Sequence, residues 1–399
     1  MLQLTIKKER VGPVRGRHPW VFSGAIQQIP DGIESGTAVQ LVDPQGQFLA
    51  LGYFNSYSQI AVRVWSWDSK EEVDDEFFAR RIKQAYELRK KYVESKETDS
   101  YRLIYGENDF LPGLVVDKYA DYLSVQFHNR GIEFWKDKIV CALNAVLKPK
   151  GIYERSDIRS RGIEGAEQQS GLLSGHVPEK VQIVENGFKF WVDIIGGQKT
   201  GFFLDQRDKR RALMKYTEDK TVLNCFSYTG GFSVYALGGG AKKAVSVDVS
   251  EPALQLAEEN MKLNKFSAKK TEFIAADVMD YLTGLLSKDE NLQQENFDVI
   301  VVDPPAFIKD RHKIREGLQG YRKVNEMAMR LLPPGGILVS CSCSAHLSLT
   351  DFRFMLSEAA GRAGRTLQIL ETYTHGIDHP ELVAFTEGEY LKVIFAQVS

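Results

Sequence analysis

The sequence predicts an α/β protein made of three parts, and three observations lead to this division. Short β-branched runs separated by turn residues occupy residues 1–70, which predicts a β-barrel. Strand patterns on both sides of one helical pattern in residues 71–185 predict a small α+β middle domain. In residues 186–399 strand and helix patterns alternate, which predicts a doubly wound parallel sheet with helices on both faces.

The predicted barrel contains strand patterns at residues 2–6, 38–42 and 59–65, separated by segments rich in glycine, proline and aspartate. Its first 18 residues are locally basic, because one acid is opposed by five bases: Lys7, Lys8, Arg10, Arg15 and Arg17. The net charge of the whole chain is −2, which does not indicate a nucleic-acid-binding protein. Any contact with RNA must therefore come from local patches, for which a solvated charged surface is the simpler interpretation.

The middle domain is predicted to begin with a helix between Asp68 and Lys96, where apolar residues recur at helical spacing. A second helical pattern lies near residues 134–147. The strand patterns around it cover residues 114–117, 122–127, 151–154 and 181–184. Arg155, Arg159 and Arg161 follow one of these strands and form a second basic cluster that could line an RNA groove.

The last part predicts five strands connected by helices. The strands are Thr221–Phe226, Ala244–Asp248, Thr271–Ala275, Phe297–Asp303 and Gly336–Cys341. The clearest helices are Glu251–Leu263 and Lys313–Leu332. Ser250 is a good N-cap for the first of these helices, because its hydroxyl can accept from a free backbone N–H and Pro252 lies within the first turn.

Polar side chains follow four of these strands. The segment Tyr228-Thr229-Gly230-Gly231 follows the first strand, and glycines at such a turn allow a ligand to approach the backbone and the next helix N-terminus. The same glycines could instead be structural, because the segment is not the pattern that binds a pyrophosphate. Asp248 ends the second strand, where an acid suits a ribose diol.

Two further acids complete the series. Asp277 follows the third strand and could accept from an adenine amine, and Asp303-Pro304-Pro305 follows the fourth. In open α/β sheets, ligands bind at the carboxyl ends of strands, so these groups are expected to face one pocket. A glycine turn and three acids in this order are more specific than any one of them.

Cysteines close the fifth strand in the sequence Ser340-Cys341-Ser342-Cys343-Ser344. A thiol beside a carboxylate, without metal ligands nearby, favours nucleophilic attack on an electrophilic carbon. Alternation along a strand puts both sulfurs on one face and does not select between them.

The four cysteines of the chain form no metal-binding pattern and no disulfide scaffold. The sequence also lacks a signal-peptide apolar stretch near Met1 and a run long enough to span a bilayer. We therefore expect a cytoplasmic protein without metal and without a membrane partner.

The order of glycine turn and acids resembles the S-adenosylmethionine (SAM)-dependent class I methyltransferases, which have a Rossmann-like fold. Other segments resemble the bacterial 23S rRNA large-subunit methyltransferase I family, which forms 5-methylcytosine. Residues 197–207 look like its motif upstream of the cofactor site, and residues 17–26 are similar to its RNA-binding PUA domain. Residues 101–107 and 111–117 look like its middle domain, so the resemblance spans nearly the whole chain.

The resemblance implies SAM as cofactor and large-subunit rRNA as partner, free or in an assembly intermediate; a homodimer is compatible with it. The implied cofactor residues are Phe203, Asp205, Gln206, Arg207, Tyr228, Thr229, Gly230, Gly231, Asp248, Asp277 and Asp303. The implied catalytic residues are Asp303, at the target base, and Cys343, which matches the family's nucleophile when counted from Gly335-Gly336. The implied RNA contacts are Pro304, Pro305, Lys309, Lys7, Lys8, Arg15 and Arg17.

A thiolate suits this chemistry, because cytosine C5 is a poor nucleophile until a thiolate adds at C6. Cys341 is then expected to be a buried small side chain.

Two alternative functions remain at this point. Asp-Pro-Pro followed by an aromatic residue, here Phe307 after Ala306, resembles methyltransferases that modify guanine or amino groups and need no thiol. A non-catalytic PUA-type RNA-binding assembly factor is the other alternative, against which the intact acids Asp248, Asp277 and Asp303 argue.

Overall fold

The computed structural model of the chain describes residues 1–287 and 296–399. In these residues the chain forms two compact units. Unit 1 comprises Met1–Val184, Val192–Leu204 and Ile377–Gly388, and unit 2 comprises Glu185–Trp191, Asp205–Gly376 and Glu389–Ser399. The expected barrel and middle domain both fall largely in unit 1, and the division into three domains at residues 70 and 185 stays a prediction.

The first part of unit 1 is a five-stranded sheet with one short helix. Its elements are β1 (Leu2–Thr5), α1 (Val11–Arg15), β2 (Trp20–Phe22), β3 (Ala38–Val42), β4 (Phe48–Phe54) and β5 (Ile60–Ser66). The strands lie in the order β1-β3-β4-β5-β2, and a bridge between Ile6 and Ile26 joins the segments after the two edge strands. This closure agrees with the expected barrel.

The second part of unit 1 is an α+β layer, as expected. Its elements are α2 (Phe77–Tyr92), β6 (Tyr101–Tyr105), β7 (Leu114–Tyr119), β8 (Tyr122–Phe127), α3 (Arg130–Glu133), α4 (Lys136–Leu147), β9 (Gly151–Ser156) and β10 (Gln169–Gly175). The strand order is β10-β9-β8-β7-β6, and β8 and β9 are parallel because α3 and α4 form the crossover between them.

The two parts of unit 1 share a hydrophobic core. Tyr53 of β4 and Trp65 of β5 pack in one cluster with Phe77 and Phe78 of α2, and all four side chains are buried. The rings of Trp65 and Phe77 have centroids 5.4 Å apart. The end of the barrel and the helix of the middle part are therefore stabilised by the same contacts.

Unit 2 is an α/β sandwich around a seven-stranded sheet. A two-stranded hairpin of β11 (Val181–Glu185) and β12 (Phe188–Val192) precedes it. The remaining elements are α5 (Arg207–Leu213), β13 (Thr221–Cys225), α6 (Gly231–Gly238), β14 (Lys243–Asp248), α7 (Glu251–Leu263), β15 (Thr271–Ala275), α8 (Val278–Leu286), β16 (Val299–Val302), α9 (Ile314–Leu331), β17 (Ile337–Ser342), α10 (Leu349–Ala363), β18 (Leu367–Tyr373) and β19 (Lys392–Val398).

The sheet order is β15-β14-β13-β16-β17-β19-β18. The five expected strands are all present and parallel, which confirms the doubly wound fold. The sheet is not parallel throughout, because β19 and β18 extend it as antiparallel strands. The Ser250 hydroxyl caps α7 as expected, accepting from the Ala253 N–H at 3.3 Å.

A buried ion pair lies in unit 2. Both guanidinium nitrogens of Arg210 that face Glu185 donate to its carboxylate, at 2.8 and 2.7 Å, and the two side chains are 3% and 0% exposed. The Tyr235 hydroxyl donates to the same carboxylate. Since these groups are out of water, each depends on the others for its hydrogen bonds.

Glu185→Gln keeps the shape of the side chain but leaves the buried Arg210 charge uncompensated. We expect it to lower the free energy of unfolding by about 3–5 kcal/mol in urea unfolding followed by circular dichroism. The matched control is Glu258→Gln, which removes an exposed helical pair with Lys262 and should cost less than about 0.5 kcal/mol. An equal decrease in the free energy of unfolding in the two variants would contradict the conclusion that the buried pair contributes more to stability.

Candidate cofactor and catalytic site

The parallel register brings the expected site residues to one edge of the sheet in unit 2. Cys225 is paired with Val247 on one side and Val302 on the other, and Val302 is paired with Ser340. The next residues along β14, β16 and β17 are Asp248, Asp303 and Cys341, so these three side chains lie at the carboxyl ends of neighbouring strands. The prediction that one edge collects them is supported by the strand pairing.

The glycine turn after β13 is tightly constrained. Tyr228 and Gly230 both adopt left-handed backbone conformations, with φ of 48° and 77°. A Cβ on Gly230 would lie 2.9 Å from Ala257 Cβ, and one on Gly231 would lie 3.1 Å from Arg210 Cδ. Position 230 favours glycine because of its left-handed backbone and its close contact with α7, whereas a side chain at position 231 would require the Arg210 side chain to shift.

Asp248 organises this turn. Its two carboxylate oxygens accept from the Tyr228 N–H at 2.8 Å and the Ser250 N–H at 3.0 Å, and the side chain is buried. Each oxygen keeps a second lone pair for a ligand hydroxyl. Beside it, Ser227 Oγ and Thr229 Oγ1 are buried and have no hydrogen-bond partner in the described residues. Buried hydroxyls of this kind are normally satisfied, so the turn suits a polar ligand.

Asp277 follows β15 and serves as the N-cap of α8. Its Oδ1 accepts from the N–H groups of Met279 and Asp280, at 2.8 and 3.1 Å, and the side chain is exposed. The adjacent Ala276 N–H donates to the Asp248 carbonyl at 3.1 Å, which keeps the ends of β14 and β15 together. The expected contact with an adenine amine stays a prediction.

A second cluster surrounds Asp303. Gln206 Nε2 donates to Asp303 Oδ1 at 3.1 Å, and both residues contact Cys341, which is fully buried. Burial, with a smaller contribution from the Asp303 charge, raises the pKa of the Cys341 thiol well above its usual range. A thiol with a raised pKa and no solvent access is a poor nucleophile.

The segment that carries Gln206 is itself anchored. Asp205 Oδ2 accepts from the Tyr390 hydroxyl at 2.6 Å, and the Asp205 carbonyl accepts from Lys209 Nζ at 2.8 Å. Arg207 is buried and pairs with Asp208 at 3.7 Å. Phe203 belongs to unit 1, where Lys199 Nζ lies 4.6 Å from its ring centroid, so its expected cofactor contact stays a prediction.

Cys343 lies one residue beyond the end of β17 and is partly exposed. Its sulfur is 3.9 Å from the carbonyl oxygen of buried Pro304, so the thiol borders the Asp-Pro-Pro turn. The following residue, Ser344, accepts from the Ile308 N–H at 3.2 Å and lies 2.9 Å from the Tyr321 hydroxyl. These bonds connect the cysteine loop to the loop after β16.

The aromatic residue after Asp-Pro-Pro packs inward. The Phe307 ring lies 4.8 Å from the Tyr321 ring and 6.4 Å from the Phe226 ring, measured between centroids, and it joins the hydrophobic cluster of unit 2. These contacts hold the partly buried ring against the core of unit 2.

Three residues of this site were missed by the sequence analysis: Tyr321, Tyr390 and Lys392. Lys392 opens β19, is 2% exposed and donates to the Ser344 carbonyl at 2.8 Å. No local pattern identifies these side chains, because each reaches the site from a segment distant in sequence. The one available signal for Lys392 was a lysine at the start of an otherwise apolar strand.

The expected RNA contacts have mixed positions. Lys7 donates to the Gly24 carbonyl at 2.9 Å, Arg15 pairs with Asp43 at 2.9 Å and remains 60% exposed, and Arg17 lies 5.6 Å from the Trp67 ring centroid. Exposed side chains are Lys8, Pro305 and Lys309. Pro304 is buried, and the contact of each of these residues with RNA stays a prediction.

Two of the three arginines of the second basic cluster, in contrast, are buried and cannot line an RNA groove. Arg161 is fully buried and donates to the carbonyls of Phe127 and Glu167, and Arg155 is buried and donates to the carbonyls of Ile194 and Gly197. These guanidinium groups satisfy backbone carbonyls inside unit 1. The expectation was wrong for Arg155 and Arg161 because charge clusters look alike in sequence whether exposed or buried.

Comparisons with known proteins identify the family. The model described as S-adenosylmethionine-dependent methyltransferase matches residues 162–392, and a PUA-like domain matches residues 4–67. Ribosomal RNA large subunit methyltransferase I of Cronobacter sakazakii is 43% identical over 392 residues, covering 98% of each chain. The proteins of that name from Aliivibrio fischeri and Escherichia coli O157:H7 are 43% and 41% identical with the same coverage. The chain belongs to this family.

Solved structures agree with this assignment. A protein assigned as a SAM-dependent methyltransferase from Streptococcus mutans has a TM-score of 0.83 at 25% identity, with 100% of both chains covered. A second methyltransferase structure, complexed with SAH, has a TM-score of 0.85 at the same identity and coverage. The methyltransferase uses SAM, and the buried hydroxyls and Asp248 at its glycine turn fit that cofactor.

In the described part of the methyltransferase, no three His, Cys, Asp or Glu side chains are grouped so that they could hold a metal ion. The helices of residues 1–287 and 296–399 include none with the length and apolar character needed to cross a membrane.

The burial of the four cysteines predicts their reactivity. Cys141 is exposed and Cys343 partly exposed, while burial raises the pKa of both Cys225 and Cys341. We therefore expect iodoacetamide to modify two thiols rapidly in the native protein, counted by intact mass. Cys343→Ala should remove one of them and Cys341→Ala neither. Loss of a reactive thiol in Cys341→Ala would contradict this assignment.

Proposed function

We propose that this methyltransferase modifies large-subunit ribosomal RNA and forms 5-methylcytosine, with Cys343 as the nucleophile. The substrate class is supported by the name that its relatives carry, at up to 43% identity over 98% of the chain. It is also supported by the PUA-like match over residues 4–67. The observation that carries the carbon chemistry is the partly exposed thiol of Cys343 beside the Asp-Pro-Pro turn.

Carbon methylation explains why a partly exposed thiol, Cys343, lies at this site, whereas nitrogen methylation does not require one. An amino group carries its own lone pair and can take a methyl group directly, so it needs no thiol near the acceptor. Cytosine C5 gains comparable nucleophilicity only after a thiolate has added at C6. The packing of the partly buried Phe307 ring against Tyr321 and the hydrophobic cluster of unit 2 gives this side chain a structural role, so the guanine or amino-group alternative is not needed to explain it.

Cys343 is the better of the two thiols. Cys341 is the closer to Asp303, because Ser340 pairs with Val302 and the next residues face each other. A substrate ring cannot reach a fully buried sulfur, however, and burial disfavours its thiolate. Cys343 lies beyond the strand end, is partly exposed, and has its sulfur 3.9 Å from the Pro304 carbonyl oxygen.

The roles of the other residues follow from their positions. Gln206 fixes the Asp303 carboxylate through a hydrogen bond of 3.1 Å, and we assign Asp303 the contact with the target base. Cys343 adds to C6, C5 then takes the methyl group, and loss of the C5 proton allows the sulfur to leave as thiolate. SAM supplies the methyl group from its sulfonium.

The proposed cofactor site combines the segment before α5, the glycine turn and the three acids. Asp248 accepts the ribose hydroxyls, and Asp277 accepts the adenine amine. The other proposed cofactor residues are Phe203, Asp205, Gln206, Arg207, Tyr228, Thr229, Gly230, Gly231 and Asp303.

For RNA, we propose contacts by Pro304, Pro305 and Lys309 near the base and by Lys7, Lys8, Arg15 and Arg17 at phosphates.

Asp248→Asn tests the ribose contact, because it keeps one acceptor oxygen for the turn and removes the charge. We expect SAM binding to weaken by about 1–3 kcal/mol in calorimetry, the usual cost of an unsatisfied buried polar group. Glu272→Gln, near the amino end of β15 and away from the carboxyl ends of the strands, should bind SAM like the native protein. Unchanged affinity in Asp248→Asn would remove Asp248 from the cofactor site.

RNA that carries 5-fluorocytosine tests the nucleophile. Fluorine cannot leave as a proton, so the thiol cannot be expelled and the protein should remain covalently attached to RNA. We expect this adduct on denaturing gels for the native protein and for Cys341→Ala. Cys343→Ala should form none and should lose methyl transfer while it keeps its SAM affinity.

The same gels distinguish the alternatives. An adduct in Cys343→Ala that disappears in Cys341→Ala would assign the reaction to the other sulfur. Methyl transfer in the double variant would favour nitrogen methylation. SAM binding without methyl transfer to any large-subunit rRNA would favour the RNA-binding assembly factor.

A further inference from the structure

A buried lysine lies directly beside the cysteine loop. Lys392 is paired with Ser342 in the antiparallel ladder of β17 and β19, and its Nζ donates to the Ser344 carbonyl at 2.8 Å. It therefore contacts the residues on both sides of Cys343 in sequence. The same loop is held by the Ile308 N–H and the Tyr321 hydroxyl, which contact Ser344 Oγ.

The ammonium of Lys392 is only partly compensated. The residue is 2% exposed, and it forms no salt bridge in the described part of the chain. One carbonyl oxygen satisfies one of its three N–H donors without neutralising the charge. A buried cation normally has an anion within reach, because removing it from water is costly.

Two ionisable groups act on this cation, Glu389 and Cys343. Burial lowers the pKa of Lys392 to about 8, while negative charge on Glu389 and on Cys343 opposes the decrease. A charge on Cys343 also adds to the effect of burial in raising the pKa of Tyr321. The Cys343 thiol is thus within electrostatic reach of both the Lys392 ammonium and the Tyr321 hydroxyl.

We propose that Lys392 is a positioning residue that stabilises the thiolate of Cys343 and holds its loop at the end of β17. The thiol proton passes to solvent and the ammonium keeps its own, so that the pair carries no net charge. This extends the proposed function, in which the same thiolate attacks C6 and later leaves it. A charge that stabilises the thiolate serves the attacking and the leaving sulfur alike.

The sign of the pH dependence follows from the lysine. Since its pKa is about 8, the ammonium is present below that pH and is lost above it. An adjacent positive charge favours the deprotonated thiol. Cys343 should therefore react with alkylating agents at lower pH than an ordinary exposed thiol, and the advantage should end as Lys392 loses its proton.

The test measures alkylation of Cys343 as a function of pH in protein carrying Cys141→Ser. Lys392→Gln is the decisive variant, because its amide can still donate to the Ser344 carbonyl but carries no charge. We expect its half-reaction pH to rise by roughly 1–3 pH units. Lys392→Arg should keep the native profile. Lys243→Gln removes another lysine of the same sheet, paired with Glu272, and is the matched control.

The native protein supplies an internal comparison that needs no variant at Lys392. In the unsubstituted chain, Cys343 should reach half-reaction at lower pH than the exposed Cys141, as resolved by mass spectrometry. A Cys343 profile at or above that of Cys141 would overturn the proposal. So would identical profiles for native protein and a folded Lys392→Gln that still binds SAM.

The pH profile of thiol alkylation tests the role of Lys392, and the RNA adduct tests carbon methylation, so the two proposals can be rejected separately. If Lys392→Gln shifts the profile but the native protein forms no adduct with 5-fluorocytosine RNA, the interaction of Lys392 with the Cys343 thiolate is supported and the proposed carbon methylation is rejected. If the adduct forms and the profile does not shift, carbon methylation stands and the role of Lys392 falls.

Discussion

The parallel register of β14, β13, β16 and β17 is the constraint on which the site depends. It sets Asp303 opposite Cys341 and brings Asp248 to the same edge of the sheet. A slip of one residue would turn these side chains to the other face of the sheet. The apolar strands fix this register because their side chains fill the cluster that includes Leu223, Ile300 and Leu338. Packing in the interior thus determines which side chains lie together at the carboxyl ends of the strands.

The site combines groups that are rigid with groups that are accessible. Gln206, Asp303 and Cys341 lie where the sheet is tightly packed, so their hydrogen bonds can be maintained without reorganisation. Cys343 lies just outside that region, where Ser344 ties its loop to Tyr321 and to the Ile308 N–H. A reacting sulfur needs both properties, since it must be reached by a substrate and still be held in one place. Cys343 has both properties, whereas Cys341, two residues earlier, is held in place but fully buried.

Much of this arrangement could be predicted from the sequence, because it depends on local signals. α7 and β15 have the expected bounds, and the Ser250 cap is where the sequence places it. β4 was missed because it is apolar on both faces and lacks alternation. Lys392 was missed because its position depends on the β17–β19 pairing, which no local pattern encodes. Arg161 was misjudged for the opposite reason: its charge suggested the surface, but its donors satisfy carbonyls in the interior.

The core shared between the barrel and α2 has a consequence for how unit 1 behaves. Tyr53, Trp65, Phe77 and Phe78 belong to one cluster, so neither part can lose these contacts alone. Amide hydrogens of β4, β5 and α2 should therefore exchange with solvent in a single cooperative opening. The barrel is consequently not an independent domain joined to the middle part by a linker alone. Transplanting another barrel onto this protein would require new side chains on α2 as well, so the two parts are constrained to change together.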